Sequence, residues 1–490
     1  MAGFRIIELA APFLPIMPEI ELPYDKLPFD DKVVYTILIG LFYIFSQLPI
    51  AGINTNGITS NAIEGDPLYY LRGIFAMGPS KTILEFGLFP IVSSTLILQL
   101  LAGMKLIKVN FKNSQDRQLF QSLTKIVSVF LYIILTNIFI ATGYFGANLS
   151  LLSILLINFQ IVSMGIFTIL LVEIIDKSYG FGSGIMCITV MNTATNFVDN
   201  VFGVASINVD TVVGGNYTES RGAFINLTQN LRSSRFSLIG GIVSAFTRDY
   251  LPNLTHVSIV ALIFFIVCYW QNYNMEVTIR STRTRNINNV YPIRMLYTGG
   301  LSIYFSFILI ALINISIYVF LNITHLSNKY YVLENNTLLI PKFPFNLLTP
   351  PKAFYPDLFT KQILTLLILP IFIIITSCWF SLQWMNISGA SPKDIALQFK
   401  EQSITIAGKR EQAIKQELNN KIRPAAIAGG LVLGGIVSLG ELLGLKGDAA
   451  GIVVAVTSGF ALLELVTIEY QQSGGKSALT QILGAPGGKY

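Results

Sequence analysis

The chain of 490 residues is 52% hydrophobic and 12% charged, with 33 Lys and Arg against 27 Asp and Glu and a formal charge of +6. Soluble domains carry about a quarter charged residues, so this composition, with a mean hydropathy of +0.61, excludes a soluble globular protein and indicates a polytopic membrane protein. No HExxH or CxxC spacing occurs, and Gly475-Lys476-Ser477 has Tyr470 where a phosphate loop requires its first glycine. No metal, cofactor or nucleotide site is expected, and the chain does not read as an enzyme.

Met1 to Asp31 is amphipathic and broken by proline, without the basic start, short apolar core and small-residue site of a cleavable signal. The amino terminus is therefore expected to persist. Ten apolar runs follow, at 33–53, 83–103, 122–145, 150–175, 184–205, 252–272, 294–321, 361–385, 424–444 and 448–469, each near the ~20 residues that cross a bilayer core. An even number puts both termini on one side. That side takes about two thirds of the 33 Lys and Arg, which predicts cytosolic termini under the positive-inside rule.

After the first run, the segment 57–77 is too polar to cross. Asp66-Pro67 resembles an N-cap with proline at the first helical position, opening a short helix through Leu68, Tyr69, Tyr70, Leu71 and Arg72. Such a helix at the pore mouth is either a plug or an interfacial helix resting on headgroups. Two spans have broken starts, Glu85-Phe86-Gly87-Leu88-Phe89-Pro90 and Tyr179-Gly180-Phe181-Gly182-Ser183-Gly184. These are either cavity linings or turn glycines, since irregular backbone at membrane depth needs protein or water around it.

Glu85, Glu173, Asp176, Asp199 and Glu276 fall near span ends, and only Glu464 and Glu441 lie deeper. Ion-coupled transport normally keeps ionisable groups at the midplane. A solute transporter with an intramembrane carboxylate, Glu464, is accordingly the alternative reading. Cys187, Cys268 and Cys378 sit in or beside apolar runs and read as small hydrophobes. Asn-x-Ser/Thr sequons at Asn148, Asn216, Asn226, Asn253, Asn322 and Asn335 fall on the non-cytosolic side. Gly429, Gly430, Gly434, Gly435 and Gly440 have the small-residue spacing that lets helices approach closely.

Two cytosolic loops are basic: 273–294, with Arg280, Arg283 and Arg285, and 386–423, with Lys393, Lys400, Lys409, Arg410, Lys415, Lys421 and Arg423. Such loops bind phosphate backbones or anionic headgroups, or simply set topology. In the longer one, Ser391-Pro392-Lys393-Asp394 resembles a helix start and Gly408-Lys409-Arg410 a basic turn, which together predict a protruding folded hairpin.

These residues resemble the family of protein-conducting channels that comprises SecY in bacteria and the Sec sixty-one alpha subunit in eukaryotes. The resemblance rests on Asp66 to Arg72, Leu88-Phe89-Pro90-Ile91-Val92-Ser93-Ser94, Gln115-Asp116-Arg117, Gly180 to Ile185, Ile279-Arg280-Ser281-Thr282, Tyr291-Pro292-Ile293, Ile387 to Ala396 and Gly408-Lys409-Arg410-Glu411. It runs over essentially the whole chain, and plug, pore and gate positions look most like a second fungal alpha-subunit branch.

The resemblance implies an all-α fold of ten transmembrane helices in two pseudo-symmetric five-helix halves, 1–205 and 252–490, joined by the loop 206–251 around a central pore. The implied pore ring is Leu88, Val92, Ile185, Thr189, Tyr304 and Val454, with Ile303 one residue from the least regular member. The implied plug carries Asp66, Pro67, Leu68, Tyr69, Leu71 and Arg72. Leu135 and Leu312 align with a polar pair at the lateral gate, with Asn137 and Asn314 two residues on; a Leu–Leu contact there predicts a gate that opens only for strongly apolar segments. Arg283, Arg285, Lys409 and Arg410 are the implied ribosomal RNA contacts. Expected partners are the ribosome, small single-span beta and gamma subunits, nascent signal sequences and membrane anchors, and the bilayer, with residence in the endoplasmic reticulum membrane.

Overall fold

The computed structural model describes residues 5–15, 17–53, 66–111, 113–146, 149–210, 216–232, 238–248, 251–281, 288–324, 331–334, 337–341, 345–351, 363–406 and 411–473. Ten helices among them match the ten apolar runs: α1 Phe29–Phe45, α2 Phe89–Gly103, α3 Ser114–Ala141, α4 Leu151–Ile174, α5 Gly184–Phe202, α6 Leu254–Gln271, α7 Leu301–Ile323, α8 Ile363–Ile387, α9 Glu411–Leu442 and α10 Asp448–Gln472. Seven are long and apolar enough to cross a bilayer on their own. The other three are α1 and α2, short at 17 and 15 residues, and α5, diluted by Thr189, Asn192, Thr193, Asn196 and Asn200.

Helix starts carry the expected caps. Asn113, Ser150 and Asn253 accept backbone N–H groups of Gln115, Ser153 and His256 at α3, α4 and α6, and Asp30 and Asp31 lie in the first turn of α1, where the helix dipole favours them. Lys32 at the start of α1 donates to Glu469 near the end of α10 at 2.8 Å. The two ends of the bundle therefore lie at one face.

Three boundaries differ from the hydropathy reading. The first span ends at Phe45, not 53, because the chain beyond it pairs with the approach to α2: Ile50 N–H donates to Lys81 O and Ile83 N–H to Leu48 O. The second starts at Phe89, not 83, since Gly87 at φ +44° breaks the backbone before it. The ninth helix begins at Glu411 instead of 424 because Ile414, Leu418 and Ile422 recur every fourth residue and bury against Val277, Ile293 and Phe399 in a separate apolar cluster.

The connections hold three small sheets. They are β1 Ser206–Asp210 with β2 Asn216–Ser220, β3 Asn274–Ser281 with β4 Asn288–Arg294 and β7 Ile404–Ile406, and β5 Tyr331–Glu334 with β6 Thr337–Pro341. In the longer basic loop the helix Pro392–Glu401 is followed by β7, which pairs with β3 of the shorter loop, and the basic turn at 408–410 lies outside the described residues. Ser391 caps that helix by accepting from Asp394 N–H at 3.3 Å.

One large apolar core runs through α1–α10. α5 packs along α10, and α2 against α7 and α8, so these seams join the first five helices to the last five. Of the glycines read as packing positions, Gly430 and Gly434 seat α9 on α8 beside Cys378 and Ile374, while Gly435 faces open space.

The turn between α9 and α10 is a close approach of a different kind. Gly447 has φ +93°, and a Cβ there would lie 2.2 Å from the carbonyl oxygen of Tyr70. Gly447→Ala is expected to cost about 2–4 kcal/mol from strained backbone plus displacement of the neighbouring segment. Gly459→Ala, with nothing within 4 Å, is expected to gain about 0.5–1 kcal/mol from helix propensity. Thermal unfolding of the two variants side by side in lipid nanodiscs checks this, and equal midpoints would contradict it.

Candidate pore, plug and gate

Leu88 is the N-cap of α2 and Val92 lies one turn into it, Ile185 and Thr189 stand on α5, Tyr304 on α7 and Val454 on α10. All except the half-buried Ile185 are sealed from solvent, at 3% exposure or less. The Thr189 hydroxyl donates to Ile185 O at 2.8 Å, which leaves its oxygen to accept from the Tyr304 hydroxyl at 2.7 Å. The two polar members thereby satisfy one another between helices of opposite halves, and none of the six side chains is an acid or base that is charged at neutral pH. α7 reaches α10 this closely because Gly300 has no side chain: a Cβ would sit 2.9 Å from Val454 Cα.

The segment from Asp66 onward closes this collar from one side. Asp66 accepts from Leu68 N–H at 3.0 Å in an Asx-type turn, and one helical turn, Tyr69–Arg72, starts at Tyr69 instead of Leu68. Leu68 and Leu71 are buried, and Phe75 lies 5.1 Å from Phe89 and 5.4 Å from Tyr304, ring to ring. Leu88 N–H donates to Phe75 O at 2.8 Å, and Tyr43 O–H to Ala76 O at 2.5 Å. Residues 57–65 of the expected plug lie outside the described residues.

Charge holds the same segment. Arg72 donates from Nε to Asp66, from Nη1 to Gly78 O and from Nη2 to Glu85 Oε1. The fully buried Glu85 also accepts from Tyr144 O–H at 2.9 Å and from Lys81 N–H at 2.5 Å. A guanidinium between two carboxylates is tolerable in a dry site because every carboxylate oxygen has a donor and the one cation faces both anions. On the far flank, Asn314 of α7 donates to Tyr70 Oη at 2.9 Å, Tyr69 O–H donates to Pro350 O, and Gly73 touches the Gly447-Asp448 turn.

The four gate positions do not converge. Leu135 is buried, whereas Leu312 is 38% exposed on the outside of α7. Asn137 is exposed, bonding back to Ile133 O and reaching Asn158 of α4 at 3.4 Å. Asn314 turns inward to the plug. The expected Leu–Leu contact is replaced by a stack of Phe139 on Tyr318, 6.1 Å apart at 26°. The stacked pair lies four residues beyond Leu135 and Asn314, the same face of each helix one turn on, which was the available signal.

Arg283, Arg285, Lys409 and Arg410 lie outside the described residues. Their roots share one sheet: β3 pairs with β4 at Arg280↔Asn288 and with β7 at Ile279↔Ile406, over a core of Val277, Ile293, Phe399 and Leu418. Glu464, the basis of the transporter alternative, is 45% exposed at its side chain and accepts from Arg294. The carboxylate is therefore not buried against a polar cavity, which the transporter alternative requires. His256 pairs with Asp448 at 2.9 Å.

Arg72→Ala strands two carboxylates and is expected to destabilise the closed form by about 3–5 kcal/mol. Asp66→Asn, Arg72→Met and Glu85→Gln combined should recover most of that loss, because no uncompensated charge remains. Chemical denaturation of the three chains and ion leak through liposomes holding them check this; a triple variant as weak as Arg72→Ala would contradict it.

A family model described as SecY matches residues 82–472. A Saccharomyces cerevisiae protein named Sec sixty-one protein homolog is 54% identical over 99% of this chain and 100% of its own length. The Debaryomyces hansenii protein transport protein Sec sixty-one subunit alpha is 33% identical, over 96% of this chain and 97% of its own. Among solved structures, the idle yeast Ssh1 complex bound to the yeast ribosome contains a chain 51% identical to this one, with full coverage of both and a TM-score of 0.75. A SecY structure solved to study its plug domain shares the fold at 21% identity, covering 94% of this chain and 97% of its own with a TM-score of 0.74. The chain belongs to the SecY family of protein-conducting channels.

Proposed function

We propose that this chain is the pore-forming subunit of an endoplasmic reticulum translocon, with both termini cytosolic, that passes nascent polypeptides across the membrane and sideways into lipid while a ribosome is docked. The observation that carries the reading is the dry apolar collar closed by a plug. Apolar side chains seal against ions by excluding water, yet they part around an extended polypeptide because only side-chain contacts hold them together.

The exit into lipid lies between α3 and α7, where Phe139 stacks on Tyr318, Ile138 packs against Tyr318 and Leu321, and side chains hold the seam among the described residues. Opening there shifts α7, which carries both Tyr304 and Asn314. The hydrogen bonds to Thr189 and Tyr70 are then strained together, so a signal sequence that enters the seam also loosens the collar and the plug. Movement of the client draws on translation, since the chain has no nucleotide-binding motif. The paired basic loops favour phosphate backbones, and the ribosome-bound state of the 51% identical relative supports ribosomal RNA as their target. Small single-span beta and gamma subunits complete the proposed complex.

Reconstitution of the chain in liposomes with programmed ribosomes tests the proposal: a signal-bearing chain becomes protease-protected, and unprotected product at full ribosome occupancy would contradict it. Arg283→Glu with Arg410→Glu should weaken ribosome binding about tenfold or more at moderate salt, read by co-sedimentation; unchanged affinity would remove those contacts. Tyr318→Ala, which deletes a stack worth about 0.5–1.5 kcal/mol, should raise insertion of weakly apolar signals severalfold, and an unchanged hydrophobicity threshold would place the gate elsewhere.

A further inference from the structure

Between α5 and α6, on the plug side, two short helices pack on one another: Ala223–Arg232 and Leu238–Thr247. The second, LIGGIVSAFT, has no charged residue. Its inner face is small: Gly241 lies against Asn230 backbone, Ser244 accepts from Asn230 Nδ2 at 3.1 Å, and Ala245 is buried with Ala223 and Leu254. Its outer face is Ile239, Ile242, Val243 and Phe246, exposed by 75, 44, 52 and 41%. This i, i+3, i+4, i+7 set forms a continuous apolar stripe, and burying it in water-free surroundings is what the hydrophobic effect favours.

The pair is held at the level of the spanning-helix ends. Arg248, next after the second helix, donates to the carbonyl oxygens of Ser220 at 2.9 Å, Arg221 at 2.6 Å and Pro252 at 2.8 Å. Pro252 is two residues from the first residue of α6, so the apolar stripe begins near the mouth of a membrane helix. The first helix is tied to the other side of the connection by Phe224, whose ring stacks on Phe202 at the end of α5 at 5.9 Å. Val198, Phe202 and Val204 there are exposed to the surroundings of the bundle by 55, 59 and 78%. The second helix itself reaches α6, where Thr255 donates to Phe246 O at 3.4 Å, so the stripe adjoins a spanning helix whose Leu262 and Phe265 are exposed by 58 and 68%.

We infer that Leu238–Thr247 is an interfacial anchor whose Ile239, Ile242, Val243 and Phe246 face sinks into the phospholipid leaflet on the plug side. The occupant is lipid and not a folded partner because the face is uncharged, lacks a polar rim of its own, and extends an apolar surface already at the bilayer. An amphipathic helix of this kind buries its apolar face roughly 5–10 Å into the headgroup and acyl boundary. Here it braces the connection between the two halves of the channel.

The test places a nitrobenzoxadiazole fluorophore on Ile242→Cys, on Phe246→Cys and, as a control, on Thr228→Cys, exposed on the first helix. The full-length chain sits in phosphatidylcholine nanodiscs with or without doxyl-labelled phosphatidylcholine, the parent chain is labelled in parallel as background, and ribosome binding verifies folding. Blue-shifted emission at 242 and 246, quenched about threefold or more relative to 228 by the doxyl lipid, is the expected result. Water-like emission without quenching overturns the inference. Blue-shifted emission without quenching overturns it equally, since a protein surface and not lipid would then cover the face.

Discussion

The packing of the proposed collar depends on a single hydroxyl pair. Thr189 and Tyr304 come from helices of opposite halves, and their hydrogen bond lets a ring that contains two polar side chains behave as an apolar one. Unpaired, either hydroxyl would draw water into the collar, because a buried polar group without a partner costs a substantial part of its hydration. Paired, they leave the seal to Leu88, Val92 and Val454, while the Tyr304 ring meets Phe75 of the plug. Collar and plug are thus one packed unit.

The plug is held by three unlike means, and their difference matters for opening. Buried charge fixes one flank through Asp66, Arg72 and Glu85, where rupture is costly. Neutral hydrogen bonds fix the other through Asn314 and Pro350, where each bond is worth about 0.5–1.5 kcal/mol net. Between them, glycines at 73, 447 and 451 remove side chains so that backbone meets backbone. The weak flank is the one attached to α7, the helix that borders the lateral seam. In the proposed function a segment entering that seam works on the contacts that yield first, while the charged flank keeps the plug tethered to the start of α2.

Much of this was legible in the sequence, for reasons particular to each element. Hydropathy over ~20 residues reports a bilayer crossing directly, so all ten helices were visible, including α5 with its polar inner face. Their ends were not, because they are set by partners far away in the chain: α1 stops where residues near Ile50 pair with Lys81, and α9 begins early because the helix Pro392–Glu401 and β-sheet give Ile414 and Leu418 somewhere to bury. The collar positions are what the family resemblance implies, whereas the bond between residues 189 and 304 lies 115 positions apart and no local pattern announces it. The gate pairing failed for a geometric reason. Two residues along a helix rotate a side chain by about 200°, so when Asn314 turns inward to Tyr70, Leu312 must face out. Glu464 misled because hydropathy cannot distinguish a carboxylate inside a span from one that reaches Arg294 at its rim.

The central claim is that a translocating polypeptide threads the collar formed by Leu88 and Val454. A photo-crosslinking amino acid at each of those positions, together with one on the outer face of α8 at Ile371, answers it when a ribosome-bound chain is stalled midway through the membrane. The account predicts adducts from Leu88 and Val454 and none from Ile371. A protected, half-translocated chain that leaves both collar positions unreacted would contradict it.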